Sequence, residues 1–146
     1  MTENERWELI VALEEEYLKG GVMLSEWCSF ITREADTAFA KGAFLASILT
    51  ATAAIEAYLK SEYGDPTQPR QNLVSLIDHS DLDGAHKADL HKLWQYRNSW
   101  VHIKQPWEDA PILDQPEKYE AELEAMAFFA AKLLRQTLFE PSNQFV

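Results

Sequence analysis

Apolar residues recur every three to four positions through most of the chain, the spacing of amphipathic helices rather than strands. Trp7, Ile10, Val11, Leu13, Tyr17 and Leu18 line the first stripe. Thr2 and Glu5 precede it as a capping box, and Gly20-Gly21 ends it. A second helix is predicted from about Met23 to Phe39, with Trp27, Phe30, Ile31, Ala35 and Ala38 or Phe39 inward. After a break at Lys41-Gly42, a third runs from Ala43 to about Tyr63, the most apolar piece, and stops at Gly64-Asp65-Pro66. Asn72 to Ile77 has room for a short helix. The turn-like Asp81-Leu82-Asp83-Gly84 leads into a long helix from about Ala85 to Ile103. Pro106 and Pro111 hold a loop open. Asp114 then caps a last helix, Pro116 to Phe139, with Tyr119, Leu123, Met126, Ala130 and Leu133 on one face and Pro141 as its stop. Short links between long amphipathic helices predict an all-α, antiparallel up-and-down bundle of about five helices.

Composition agrees with that class. The chain of 146 residues has the length of a single domain, and its apolar share of 47% supports a packed core. It carries 5 Gly and 6 Pro, few enough to favour long regular elements. Cys28 is its one cysteine, so an intrachain disulfide is excluded and a reducing, cytoplasmic setting is expected. Thr2-Glu3-Asn4-Glu5 is acidic where a secretory signal needs positive charge. No run approaches the roughly 20 apolar residues of a membrane span. The net charge of −11 argues against non-specific binding to duplex DNA or to anionic membranes. The charge is uneven, however. Between Ala85 and Gln105 stand Lys87, Lys92, Arg97 and Lys104 against Asp89 alone, with His86, His91 and His102 besides.

Two charges fall where a helical wheel wants apolar residues. With about 100° per residue, Leu90, Leu93, Trp94, Trp100 and Val101 share an arc that has Arg97 near its middle. On the third helix, Phe44, Leu45, Ile48, Leu49, Thr52, Ile55 and Leu59 share an arc that includes Glu56. A buried lone charge is very costly, so Glu56 and Arg97 are expected to meet. Such a pair either fixes helix register or holds a guanidinium ready for an anion. Asn98 and His102 are four apart and stack on one flank. Arg97 and His102 are five apart, about 140° around a regular helix. They converge only if the helix end distorts near Ile103, or if a second subunit brings its own copy alongside across a two-fold axis.

Arg97-Asn98-Ser99-Trp100-Val101-His102 resembles the signature of the HEPN superfamily, an Arg followed by a polar residue and, a few positions on, a His. The preceding helix pair is similar too, including Ala53-Ala54-Ile55-Glu56-Ala57-Tyr58-Leu59-Lys60. The likeness spans roughly Leu24 to Leu138. It implies a HEPN-like homodimer with two Arg–His pairs facing a shared cleft, and a metal-independent endoribonuclease of the toxin or defence-effector kind. Carried over by position, Arg97 would hold the scissile phosphate and His102 would act as general acid or base. Asn98 would orient His102 or bind phosphate, and Glu56 would position Arg97. The resemblance also admits a non-catalytic module that dimerises or binds a nucleotide. Several toxin-like members pair with a cognate antitoxin.

Other patterns carry less. His79, Asp81, Asp83, His86, Asp89 and His91 match no strong metal-ligand spacing, so neither a metal nor another cofactor is expected. Trp94, Tyr96, Trp100 and Trp107 could stack bases, but at helical spacing they read first as core or dimer contacts. Cys28 reads as an inert core thiol, and Glu14-Glu15-Glu16 as a solvated helix face.

Overall fold

The computed structural model describes residues 1–19, 24–102 and 115–143, with side chains in the last helix as far as Phe139. Among them stand six helices: α1 (Glu3–Tyr17), α2 (Glu26–Ala40), α3 (Phe44–Tyr63), α4 (Leu73–His79), α5 (Gly84–Val101) and α6 (Pro116–Asn143). Five are long, and α4 adds a short one where Asn72 to Ile77 left room. Four starts have a side-chain cap. The Thr2 hydroxyl accepts from Glu5 N at 3.2 Å, and the Glu5 carboxylate accepts from Thr2 N at 2.9 Å, a full capping box. Ser25 caps α2, Asn72 caps α4 and Asp83 caps α5, each accepting from a backbone N–H of the first turn. The α2–α3 corner is a Schellman turn: Ala43 N bonds Ala38 O, Gly42 N bonds Phe39 O, and Gly42 takes φ +82°. A side chain at Gly42 would be strained there.

Side-chain bonds show the antiparallel order. Cys28 Sγ lies 3.9 Å from Ala54 O and Ser47 Oγ donates to Ala35 O at 3.1 Å, so α3 runs back along α2. Arg6 Nε donates to Ala40 O at 2.8 Å, placing the start of α1 at the end of α2. For α5 and α6 the pairs are His86 with Thr137, Lys92 with Phe129 and Trp100 with Tyr119. The core between them holds Phe39, Ile48, Ile55, Leu59, Leu76, Ile77, Leu93, Leu134 and Leu138, all essentially without exposure. Burying each such side chain contributes about 1.5–3 kcal/mol. No helix among the described residues is long and apolar enough to cross a membrane.

Several expected details differ. The buried stripe of α2 is Cys28, Thr32, Ala35 and Phe39, while Trp27 and Phe30 are 66% and 53% exposed. The helix is rotated by about one residue from the aromatic stripe, because small side chains let α2 and α3 approach closely. Val11, Leu18 and Val101 are likewise exposed. Trp27→Lys and Phe30→Lys are therefore expected to change unfolding free energy by less than about 0.5 kcal/mol in urea titrations, since neither ring fills the core. The α6 helix continues past Pro141 to Asn143. A proline that late in a helix disturbs the last turn alone, where it forfeits the bond to the carbonyl four residues back and crowds that carbonyl. Gly20-Gly21, Met23, the α5 end at Ile103, Lys104, Pro106, Trp107, Pro111 and Asp114 lie outside the described residues.

Cys28 is buried at the α2–α3 contact, and burial pushes its thiol above the ordinary value. The native protein should thus react with iodoacetamide at pH 8 only at the rate of local opening, and quickly in urea. Fast stoichiometric labelling without denaturant would show that the thiol is not held in this core.

Candidate functional site

The C-terminal end of α5 holds the residues singled out from the sequence. His86, Leu90 and Leu93 form the buried stripe of α5, and Arg97 is next in the same spacing. The wheel thus places Arg97 as the helical pattern predicts, on the inward face but at the end of the bundle. It is half-buried, and its Nε is buried with no hydrogen-bond partner among the described residues. Its Nη1 donates to Asn98 Oδ1 at 2.9 Å. Asn98 is half-buried as well. Its carbonyl oxygen therefore braces the guanidinium directly.

The expected ion pair between Glu56 and Arg97 is not formed. Among the described residues neither side chain makes a salt bridge, although α3 and α5 pack against each other. The buried stripe of α3 passes through Ile48, Ala51, Thr52, Ile55 and Leu59, which leaves Glu56 half-buried at its edge. Arg97 turns instead to its neighbour Asn98.

His102 is the C-cap of α5. Its backbone leaves the helix at φ −119° and ψ 97°, after its N–H closes the last turn on Asn98 O at 3.0 Å. The helix therefore ends at Val101, and the 140° rule of a regular helix no longer fixes His102 relative to Arg97. Its ring is exposed, and no described residue hydrogen-bonds it. The structure thus joins Arg97 to Asn98, places His102 at the same helix end, and leaves Glu56 apart.

Aromatic rings line the α6 side of this end. Trp100 meets Tyr119 edge to face, with centroids 6.2 Å apart and planes at 84°. Lys118 Nζ stands 6.0 Å from the Tyr119 ring. The Tyr96 hydroxyl is buried, and burial, aided by the nearby Glu122 carboxylate, raises its pKa above the ordinary phenol value. Trp100 is a stacking candidate from the sequence, but its partner Tyr119 is not legible there, because the helix that supplies it is remote in the chain.

The other histidines are absorbed by the fold. His86 Nε2 donates to Thr137 Oγ1 at 2.9 Å, since the hydroxyl proton of Thr137 goes to Leu133 O. His91 Nε2 lies 2.9 Å from Asp78 Oδ1, tying α5 to α4. His79 Nδ1 lies 2.7 Å from Ser75 O. No group of three or more His, Cys, Asp or Glu side chains is placed to hold a metal ion among the described residues.

The deepest charge was not anticipated. Arg135 on α6 is fully buried, and its Nη2 reaches Asp36 Oδ2 at 2.6 Å and Glu14 Oε1 at 3.1 Å. Glu14 is therefore not part of a purely solvated acidic face, whereas Glu15 and Glu16 are exposed. This triad joins α1, α2 and α6 around a fully buried guanidinium, with Glu14 at its partly exposed edge, and it ties the three helices together. Comparison of the chain with protein-family models, with curated proteins and with solved structures finds no match.

Proposed function

We propose that the chain is a HEPN-like, metal-independent endoribonuclease that acts as a homodimer, with Arg97 and His102 carrying the chemistry. The observation that supports it most is the state of Arg97: a guanidinium on an inward helix face, braced by Asn98, with no carboxylate to neutralise it among the described residues. A cation left unpaired in partial burial gains from an anion, and a phosphodiester suits the planar fork of its N–H groups.

The step needs only groups that RNA and two protomers supply. One His102 takes the proton of the ribose 2′-hydroxyl. The 2′-oxygen then bonds phosphorus as the P–O5′ bond breaks, and the His102 of the second protomer protonates the leaving 5′-oxygen. The products are a 2′,3′-cyclic phosphate and a 5′-hydroxyl. Arg97 stabilises the extra charge on the phosphoryl oxygens. The attacking oxygen belongs to the substrate, which selects RNA over DNA. Asn98 positions Arg97 through the hydrogen bond from the guanidinium to its side-chain oxygen. On this reading the protein works in the cytoplasm, and a cognate antitoxin would restrain it.

The alternative is a HEPN-like module that dimerises or binds a nucleotide without cleaving it. The exposed ring of His102, which no described residue hydrogen-bonds, favours this reading, since a general base is usually oriented by a hydrogen bond. The two separate on incubating purified protein with single-stranded RNA in chelator. Cyclic-phosphate ends and a dimer by light scattering support the nuclease. An inert dimer supports the module.

A further inference from the structure

We propose that Trp100 and Tyr119, with Lys118 beside them, form a stacking subsite for an unpaired base of single-stranded RNA, adjoining the phosphate held by Arg97. The identity of that phosphate rests on the ribonuclease reading above, but the subsite is carried by its own geometry. Trp100 lies one turn beyond Arg97, so the two side chains are neighbours on the helix surface. Its ring meets Tyr119 of α6 edge to face. An edge-to-face pair within a core is ordinary packing. This pair is instead at the end of the bundle where α5 stops and α6 begins. Both rings are half-buried, while Val101, Gln115, Pro116 and Lys118 around them are exposed. Lys118, at 6.0 Å from the Tyr119 centroid, supplies a cation beside the ring for the flanking phosphate.

Charge makes the aromatic contact necessary. With a net charge of −11, and with Glu117 and Glu122 exposed near this end of α6, phosphate contacts cannot supply most of the affinity. Stacking can, since it depends on ring area and not on net charge. Two cations, Arg97 and Lys118, predict a shallow slope of log affinity against log salt, about −1.4 for a single strand.

The test uses the full chain carrying His102→Ala, to prevent cleavage, and fluorescein-labelled oligoadenylate and oligouridylate eight-mers read by anisotropy. Tyr119→Leu and Trp100→Leu should each weaken binding about tenfold, the effect of losing one stacked base, whereas Tyr119→Phe should keep it. Oligoadenylate should bind more tightly than oligouridylate. Circular dichroism confirms that each variant is folded. The proposal is overturned if folded Leu variants bind as the parent does, if the parent binds neither oligomer, or if the Leu variants lose binding only by becoming monomeric in light scattering. Cleavage by the wild-type chain that is indifferent to Tyr119 would sink the subsite and leave the nuclease. Aromatic-dependent binding without cleavage would do the reverse.

Discussion

Arg135→Met is expected to lower the unfolding free energy by about 3–5 kcal/mol, and the Tm by on the order of 10 °C for a domain of this size. The substitution preserves side-chain volume but strands Asp36, whose side chain is only 13% exposed and whose Oδ2 now accepts from Arg135 at 2.6 Å. A buried carboxylate without its cation keeps the desolvation cost and loses the attraction that offset it. The pair is imperfect even in the native protein, because Asp36 Oδ1 and Arg135 Nε are buried with no hydrogen-bond partner. Burial raises the Asp36 carboxyl above the ordinary value in spite of Arg135, so desolvation outweighs attraction. The sign follows from linkage. A raised carboxyl binds its proton more tightly in the folded state, so its ionisation subtracts stability at neutral pH. That loss is relieved as pH falls through the folded pKa. Arg135→Met combined with Asp36→Leu should therefore return to within about 1 kcal/mol of wild type or exceed it. Any advantage over wild type should shrink as the pH drops into the range where Asp36 protonates. Urea unfolding with unchanged slope measures both variants. A double variant as unstable as Arg135→Met alone would mean that packing, and not the stranded charge, sets the cost.

Much of the fold was legible because helix starts are local chemistry. The capping box at Thr2 and Glu5, the turn at Lys41-Gly42 and the entry at Asp83 each depend on a few adjacent residues, and each is found where the pattern puts it. Which face turns inward was less legible. On α2 the large aromatics suggested one stripe, yet Cys28, Thr32 and Ala35 face α3, because close helix approach rewards small side chains over large ones. Periodicity reports that a helix has a face, and size complementarity with a remote helix decides which one it is.

The same limit explains the ion pair. Glu56 and Arg97 were matched because each interrupted an apolar arc, and their partnership was a statement about two helices meeting. The buried pair is instead Arg135 with Asp36, on helices far apart in the chain. Both had the same signature. Arg135 stands between Ala131 and Leu138, and Asp36 between Thr32 and Ala40. On α2 that signature was hidden by the wrong choice of face. At the candidate site the local facts held: Arg97 continues the inward stripe of α5, and His102 stands where the helix stops. Neither fact depends on a remote partner.

His102→Ala should reduce RNA cleavage by about 10²–10⁴-fold, and Arg97→Ala by about 10²–10³-fold, with helix content and urea midpoint almost unchanged. The first range is that of a lost general acid or base. The second is that of one lost donor to the transition-state charge. Stability is spared because His102 is exposed at a C-cap, and because Arg97 makes one hydrogen bond among the described residues, to its own neighbour. The effects should not add, since both residues act on one phosphate in one step. The rate should follow a bell against pH, as expected when one imidazole must be neutral and another protonated. A shared cleft makes a sharper demand. Wild-type chains mixed with an excess of inactive His102→Ala chains and allowed to exchange subunits should lose activity per wild-type chain, because every mixed dimer lacks one of the two His102 groups that the step uses. If activity follows the falling share of wild-type dimers, the catalytic groups come from both protomers. If subunits exchange and activity per wild-type chain is unchanged, the shared cleft is wrong. If wild type and both variants are equally inert while folded, the module reading replaces the enzyme, and if all three cleave equally, Arg97 and His102 do not carry the chemistry.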